Sequence, residues 1–161
     1  MLEVSGANLR HIDPVPIIVD QYNKLNEPIV CADKLRCVVS ALYDNALNHG
    51  VLEISDLTSP WYTDEDQLED ERARRFSSAA YGFVRIEVQR IMYQGMPSLL
   101  VKLEDSGRGF DYMDLFSSSD QQHDEKNQAC IGSIQRVRKM CQSLRYQGRG
   151  NRVEAIVGGQ G

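Results

Sequence analysis

The sequence predicts an α+β fold: a two-layer α/β sandwich with helices on one face of a mostly antiparallel sheet. Three observations predict it. Apolar residues recur at helical spacing early in the chain, at Leu35, Val38, Val39, Leu42 and Ala46. The period then changes to two. Val84, Ile86 and Val88 alternate with Arg85, Glu87 and Gln89, and Leu99, Val101 and Leu103 repeat the pattern after a turn. Last, one more helical stripe precedes a final pair of short strands. Helices first and hairpins after them argue for antiparallel pairing and segregated layers.

Taken in order, Leu2 to Ser5 reads as a short strand. Asp13-Pro14 opens a helix from Val15 to Leu25, with Val15, Ile18, Val19 and Tyr22 on one side, and Asn26-Glu27-Pro28 stops it. Asp33 is expected to N-cap the next helix, which ends at Gly50. At ~100° per residue, Ala41, Asn45 and Asn48 share one edge of its apolar stripe. Val51 to Thr63 reads as irregular. Asp64 to Ala80 starts acidic and ends basic, which suits a helix dipole on a solvated face. Phe83 to Tyr93 and Ser98 to Glu104 form a hairpin across the turn Gln94 to Pro97. The serine-rich run from Phe116 to Gln128 reads as a mobile loop. Ile134, Val137, Met140, Cys141 and Leu144 mark another helix. Gly148-Arg149-Gly150-Asn151 then turns between strands Leu144 to Tyr146 and Val153 to Val157.

The 161 residues suit one domain, over 1–157, with 158–161 as a flexible tail. Such a piece is expected to belong to a longer multidomain regulator. The net charge of -5 and pI of about 5.2 come without a basic block, which disfavours a nucleic-acid surface. No stretch reaches the ~20 apolar residues of a membrane span, and no signal peptide opens the chain, so a cytoplasmic domain is expected. Cys31, Cys37, Cys130 and Cys141 form no CxxC pair and no zinc-like spacing with the histidines, and are expected to be buried thiols.

Two segments carry chemistry. One is Asn45-Ala46-Leu47-Asn48-His49-Gly50, late in an amphipathic helix. The other is Glu104-Asp105-Ser106-Gly107-Arg108-Gly109-Phe110, at a strand end. A strand ending in Asp-x-Gly-x-Gly projects a carboxylate into a cleft and clears side chains for a planar ligand. That carboxylate suits an exocyclic amine, and an amide oxygen on the same cleft suits magnesium.

Together and in this order the two segments resemble the N box and first glycine box of the gyrase, histidine-kinase and mismatch-repair ATPase superfamily, which has the Bergerat ATP-binding fold. Within it the chain is most similar to anti-sigma-factor serine kinases, and in particular to the C-terminal ATPase-like domain of bacterial receiver–phosphatase fusion proteins. The stretches that carry this are Asn45 to Leu52, Glu104 to Tyr112 and Cys141 to Val157, within a likeness over nearly the whole chain. The resemblance implies ATP and magnesium as cofactors, Asn45 as the metal ligand and Asp105 as the adenine-reading carboxylate. Gly107 and Gly109 would give the ligand room, Phe116 to Gln128 would be the ATP lid, and amides near Ile131 to Ile134 would meet the phosphates. A helix N-terminus is suited to that last role. Implied partners are an anti-sigma-antagonist protein or sigma factor and neighbouring receiver and phosphatase domains, with a homodimer left open.

The chain departs from that pattern at two places. Where the family carries a glutamate four residues before the asparagine, this chain has Ala41, and Asp44 lies ~60° further round the helix. General-base help is worth roughly 10²–10⁴ in rate, and a methyl group supplies none. The family's Gly-x-Gly-(Leu/Ile) of the second glycine box aligns with Ile131-Gly132-Ser133-Ile134, where only the middle residue is a glycine, bulky Ile131 stands where the backbone should approach phosphate, and Ser133 still offers its N–H and hydroxyl. The expectation is an ATP-binding regulatory domain with weak or lost serine-kinase activity. The alternative is a non-catalytic protein-binding or nucleotide-sensing module. A histidine-kinase catalytic domain is disfavoured, because no dimerisation helix with a phosphoacceptor histidine is present. His49 is expected to be a packed structural residue, and Trp61 to anchor its loop. Ser117, Ser118 and Ser119 read as lid flexibility, and His11 and His123 carry no signal.

Overall fold

A computed structural model describes residues 1–25, 28–54, 65–78, 81–109, 112 and 128–158, with the backbone alone for 65–69, 78 and 128–132. Among these residues, five strands and five helices follow in the order β1 (Leu2–Ser5), α1 (Asn8–His11), α2 (Pro14–Asn23), α3 (Ala32–Asn45), α4 (Glu65–Ser78), β2 (Phe83–Tyr93), β3 (Met96–Asp105), α5 (Gln128–Met140), β4 (Ser143–Gln147) and β5 (Arg152–Gly158). A π-helical turn, Ala46–Val51, extends α3. The strands form one sheet in the order β1-β2-β3-β5-β4, and every neighbouring pair is antiparallel. The chain is therefore α+β, as its two periodicities require. Among the described residues, no helix is long and apolar enough to cross a membrane.

Period-two alternation sets the two sheet faces. Val84, Ile86, Leu99, Val101, Leu103, Val153, Ala155 and Val157 are all buried on one face, which meets the helical stripe Leu35, Val38, Val39 and Leu42 of α3 and Ile134 and Val137 of α5. On the other face Arg85 reaches Glu3 at 2.7 Å and Glu104 at 3.2 Å, and Arg152 reaches Glu104 at 2.9 Å. These partly exposed ion pairs solvate the face and add little to stability. The central strand β3 runs between β2 and β5 and ends at Asp105, so the sheet itself aims that residue.

Local signals explain most element ends. Asp13 caps α2, its Oδ1 accepting from the Val15 N–H at 2.9 Å. The Tyr22 hydroxyl ties the segment after α2 by donating to the Val30 carbonyl at 2.9 Å and accepting from its N–H at 2.7 Å. The β2–β3 turn is the two-residue pair Gln94 and Gly95, both with positive φ (51° and 79°), the geometry that matches the twist of a hairpin. Met96 and Pro97 belong to β3, Pro97 facing Met92 at the strand's beginning where its missing N–H costs least.

Several expectations are corrected. Asp33 is not the N-cap of α3. Cys31 holds that position without a side-chain cap bond, and Asp33 lies in the first turn, where its charge still faces the dipole. The helix α5 stops at Met140, so Leu144, read both into the helical stripe and as the start of the next strand, belongs to β4 alone. Both kinds of element place an apolar side chain inward, so the stripe ran on across the boundary. Gly158 is the last residue of β5, opposite Ser98, and not part of a tail. Cys31 and Cys37 are exposed and Cys141 half-buried, all as free thiols. The four-residue helix α1 carries too little pattern to be read from sequence. Residues 116–127 of the serine-rich run, Trp61, His123 and the side chain of Cys130 lie outside the described residues, while Gln128 begins α5.

Candidate functional site

Asn45 ends α3, and the chain beyond it opens into the wider π turn. Such turns admit an extra residue and are frequent at functional sites. Here the turn carries Gly50 against the end of β3. A Cβ on Gly50 would collide with the Asp105 carboxylate, and a Cβ on Gly107 would collide with the Gly50 carbonyl. Gly109, at φ +80°, lies so close to the Arg149 carbonyl that a Cβ there would also collide. Both glycines of the Asp-x-Gly-x-Gly run are thus required by the chain's own backbone. The room they make is taken up by the π turn and by the β4–β5 turn.

Asp105 is 6% exposed, a rare environment for a carboxyl group. Its Oδ1 accepts from the Gly107 N–H at 2.8 Å. Its backbone is fixed from both sides by Asn151, whose carbonyl accepts from the Asp105 N–H at 3.0 Å and whose Nδ2 donates to the Asp105 carbonyl at 3.1 Å. Burial pushes the carboxyl up to about 6, against the Gly107 bond, which lowers it. It is therefore a poised acceptor with one oxygen bonded and its charge held at a cost.

A cleft opens beside it, walled by Leu42, Asn45, His49, Asp105, Tyr146 and Asn151. Its enclosed part is narrow, with space for roughly one water molecule. His49 is half-buried on this wall, and burial lowers its pKa. The Tyr146 ring stacks on Tyr112 with centroids 5.9 Å apart. At the rim Arg108 pairs with Glu53 at 3.1 Å.

The two predicted ends of the site share this cleft: Asn45 and Asp105 both line it. Ser133, in the second turn of α5, donates its hydroxyl to Asn45 Oδ1 at 3.0 Å, which ties α5 to the end of α3. The Asn45 Nδ2 and the Asn48 Oδ1 are buried with no hydrogen-bond partner among the described residues. Gly132 lies in α5 next to Ser133. Ala41 is half-buried against the core and brings no carboxylate. Asp44 lines a separate depression with Tyr43 and Arg72 and is not on the cleft wall, so it does not stand in for the missing acid. Among the described residues no group of three or more His, Cys, Asp or Glu could hold a metal ion.

Sequence reading missed Tyr146 and Asn151. The Gly148–Asn151 run looked like an ordinary turn, and only the β3–β5 register brings it beside Asp105. Compared with protein-family models, curated proteins and solved structures, the chain matches no family model, no curated protein and no solved structure.

Proposed function

We propose that this domain binds an adenine nucleotide in the cleft and serves as a regulatory module in which phosphoryl transfer is weak or lost. The observation that carries the reading is the buried Asp105 carboxylate facing a cleft whose wall also holds Asn45. A buried carboxylate with a free acceptor oxygen has few uses in a core, and reading an exocyclic amine is one of them. The resemblance of the Asn45–Gly50 and Asp105–Phe110 segments to the Bergerat ATP-binding fold supports it, as does the α+β architecture with helices against an antiparallel sheet.

The residues present also fit magnesium. Asn45 Oδ1 is a hard neutral oxygen of the kind magnesium accepts, and the orphaned Asn45 Nδ2, a donor, suits an acceptor oxygen of the nucleotide and not the ion. The ion would supply charge neutralisation for a triphosphate. With Ala41 in place of an acid, nothing on that helix edge activates an attacking hydroxyl. Binding without transfer is the consistent outcome. The partner class implied by the resemblance is an anti-sigma-antagonist protein or sigma factor, with receiver and phosphatase domains as neighbours.

Calorimetric titration with ADP and ATP tests the reading. Magnesium-dependent binding that Asp105→Asn abolishes is the expected result, with no transfer of labelled phosphate to a serine-bearing partner. Absence of any nucleotide binding would overturn it. A second reading, a fold kept for docking a partner protein, is favoured by the narrowness of the enclosed cleft. It predicts unchanged partner binding in Asp105→Asn.

A further inference from the structure

A second depression, of about 410 Å³, shares no wall residue with the cleft beside Asp105. Its walls include Leu9 and Ile12 at the end of α1, Tyr43 and Asp44 of α3, and Arg72 and Phe76 of α4. Small-ligand pockets span roughly 300–1,000 Å³, so the space suits one. Its polar groups are left unfinished. Tyr43 is only 5% exposed, yet its hydroxyl has no hydrogen-bond partner, and neither does the buried Nε of half-buried Arg72. Buried donors without acceptors cost stability, and each calls for a physical account. Tyr43 enters as a donor, because burial and the nearby Asp13 and Asp44 charges push its hydroxyl up to about 12.

Asp44 adds the opposite charge. Partial burial raises its carboxyl, and the Arg72 charge works against that. Among the described residues no hydrogen bond or ion pair joins the two. Asp13 is already committed to the α2 cap, and Arg10 and His11, which also line the space, are exposed. A simple anion would satisfy the Arg72 and Tyr43 donors and leave Asp44 beside a like charge. A simple cation would satisfy Asp44 alone. A body carrying both signs serves all three.

We propose that this depression binds a small zwitterion, a free amino acid with an apolar side chain. Its carboxylate meets the Arg72 guanidinium and the Tyr43 hydroxyl, and its ammonium meets Asp44. The side chain lies against Leu9, Ile12 and Phe76. Bound there, the ligand joins α4 to α3 by charge-assisted hydrogen bonds, with no covalent bond made or broken. The site stands apart from the nucleotide reading and does not depend on it.

Calorimetric titration of the whole chain with leucine, isoleucine, methionine and phenylalanine at millimolar concentration tests the proposal. At least one is expected to bind, and binding by none of them overturns it. The preferred amino acid is then compared with two analogues, its amide, which lacks the carboxylate, and its deaminated acid, which lacks the ammonium. Each should bind roughly tenfold or more weakly, and an analogue that binds as tightly as the parent overturns the two-charge recognition. Arg72→Met and Asp44→Asn should each lose affinity by a similar factor, and Tyr43→Phe by a few-fold. Unchanged affinity in Arg72→Met or Asp44→Asn overturns the assignment to this depression. The analogue comparison uses the unaltered chain, so it decides the matter even where a variant fails to fold.

Discussion

Asp105 trades stability for an acceptor. Its carboxyl titrates near 6 in the folded chain against 3.8 for the free group, because burial disfavours the charge. The folded state therefore holds its proton more tightly than the unfolded state. That contribution to stability is complete below about pH 4 and is lost as pH rises through about 6. Asp105→Asn removes the slope. Thermal melts at pH 8 should show the variant more stable than wild type, by about 3 kcal/mol at most, and the two should converge near pH 4. The same titration predicts that adenine-nucleotide affinity falls as pH drops below about 6. Gly109→Ala is the opposite case, because φ +80° and the Arg149 carbonyl both exclude a side chain. It should lower stability by roughly 1–3 kcal/mol or more, read as a drop in denaturant midpoint. At this scale Asp105 and Asn45 were legible, since the residue types and their spacing advertise the chemistry. What the glycines approach was not, because a glycine's motif does not say whether a ligand or the chain itself fills the space.

Among the elements, α2 offers the cleanest local test. Asp13→Ala removes the bond to the Val15 N–H and should cost about 1 kcal/mol, a shift of roughly 2–4 °C in melting temperature for a chain of this size. Elements with one strong period were readable: β2 covers Phe83–Tyr93 as its alternation requires, and α3 buries its whole stripe. Boundaries were less so. Cys31 replaces Asp33 as the cap because the helix begins at Ala32, and an acidic residue suits the first turn as well as the cap. Leu144 continued the stripe of α5 although it belongs to β4, since a single inward-pointing residue fits either period. The π turn after Asn45 had no sequence signature, although Gly50 within it is what lets the chain lie against Asp105.

For the molecule as a whole, β3 is the axis. It pairs with β2 along its whole length and with β5 from Ser98 to Glu104, and its inward side chains Leu99, Val101 and Leu103 are buried under the helices. Native-state hydrogen exchange should find its amides the slowest, opening near the global unfolding limit, while the edge strands β1 and β4 exchange faster. Fast exchange in β3 alone would contradict a single cooperative sheet. The antiparallel α+β plan was legible because both layers announce themselves by period. The meeting of the Gly148–Asn151 turn with Asp105 was not, since it depends on a strand register that links positions distant in sequence.

The contact of Gly50 with Asp105 and Gly107 also has a historical side. Two segments that touch this closely cannot drift independently. A descendant that gains a side chain at position 50 must first move or shorten the acid at 105, and one that gains a side chain at 107 must displace the carbonyl of 50. The helix-end asparagine segment and the strand-end aspartate segment are thus passed on as one heritable unit. Among diverging copies of this chain, a change at one of these three positions should be accompanied by a change at another.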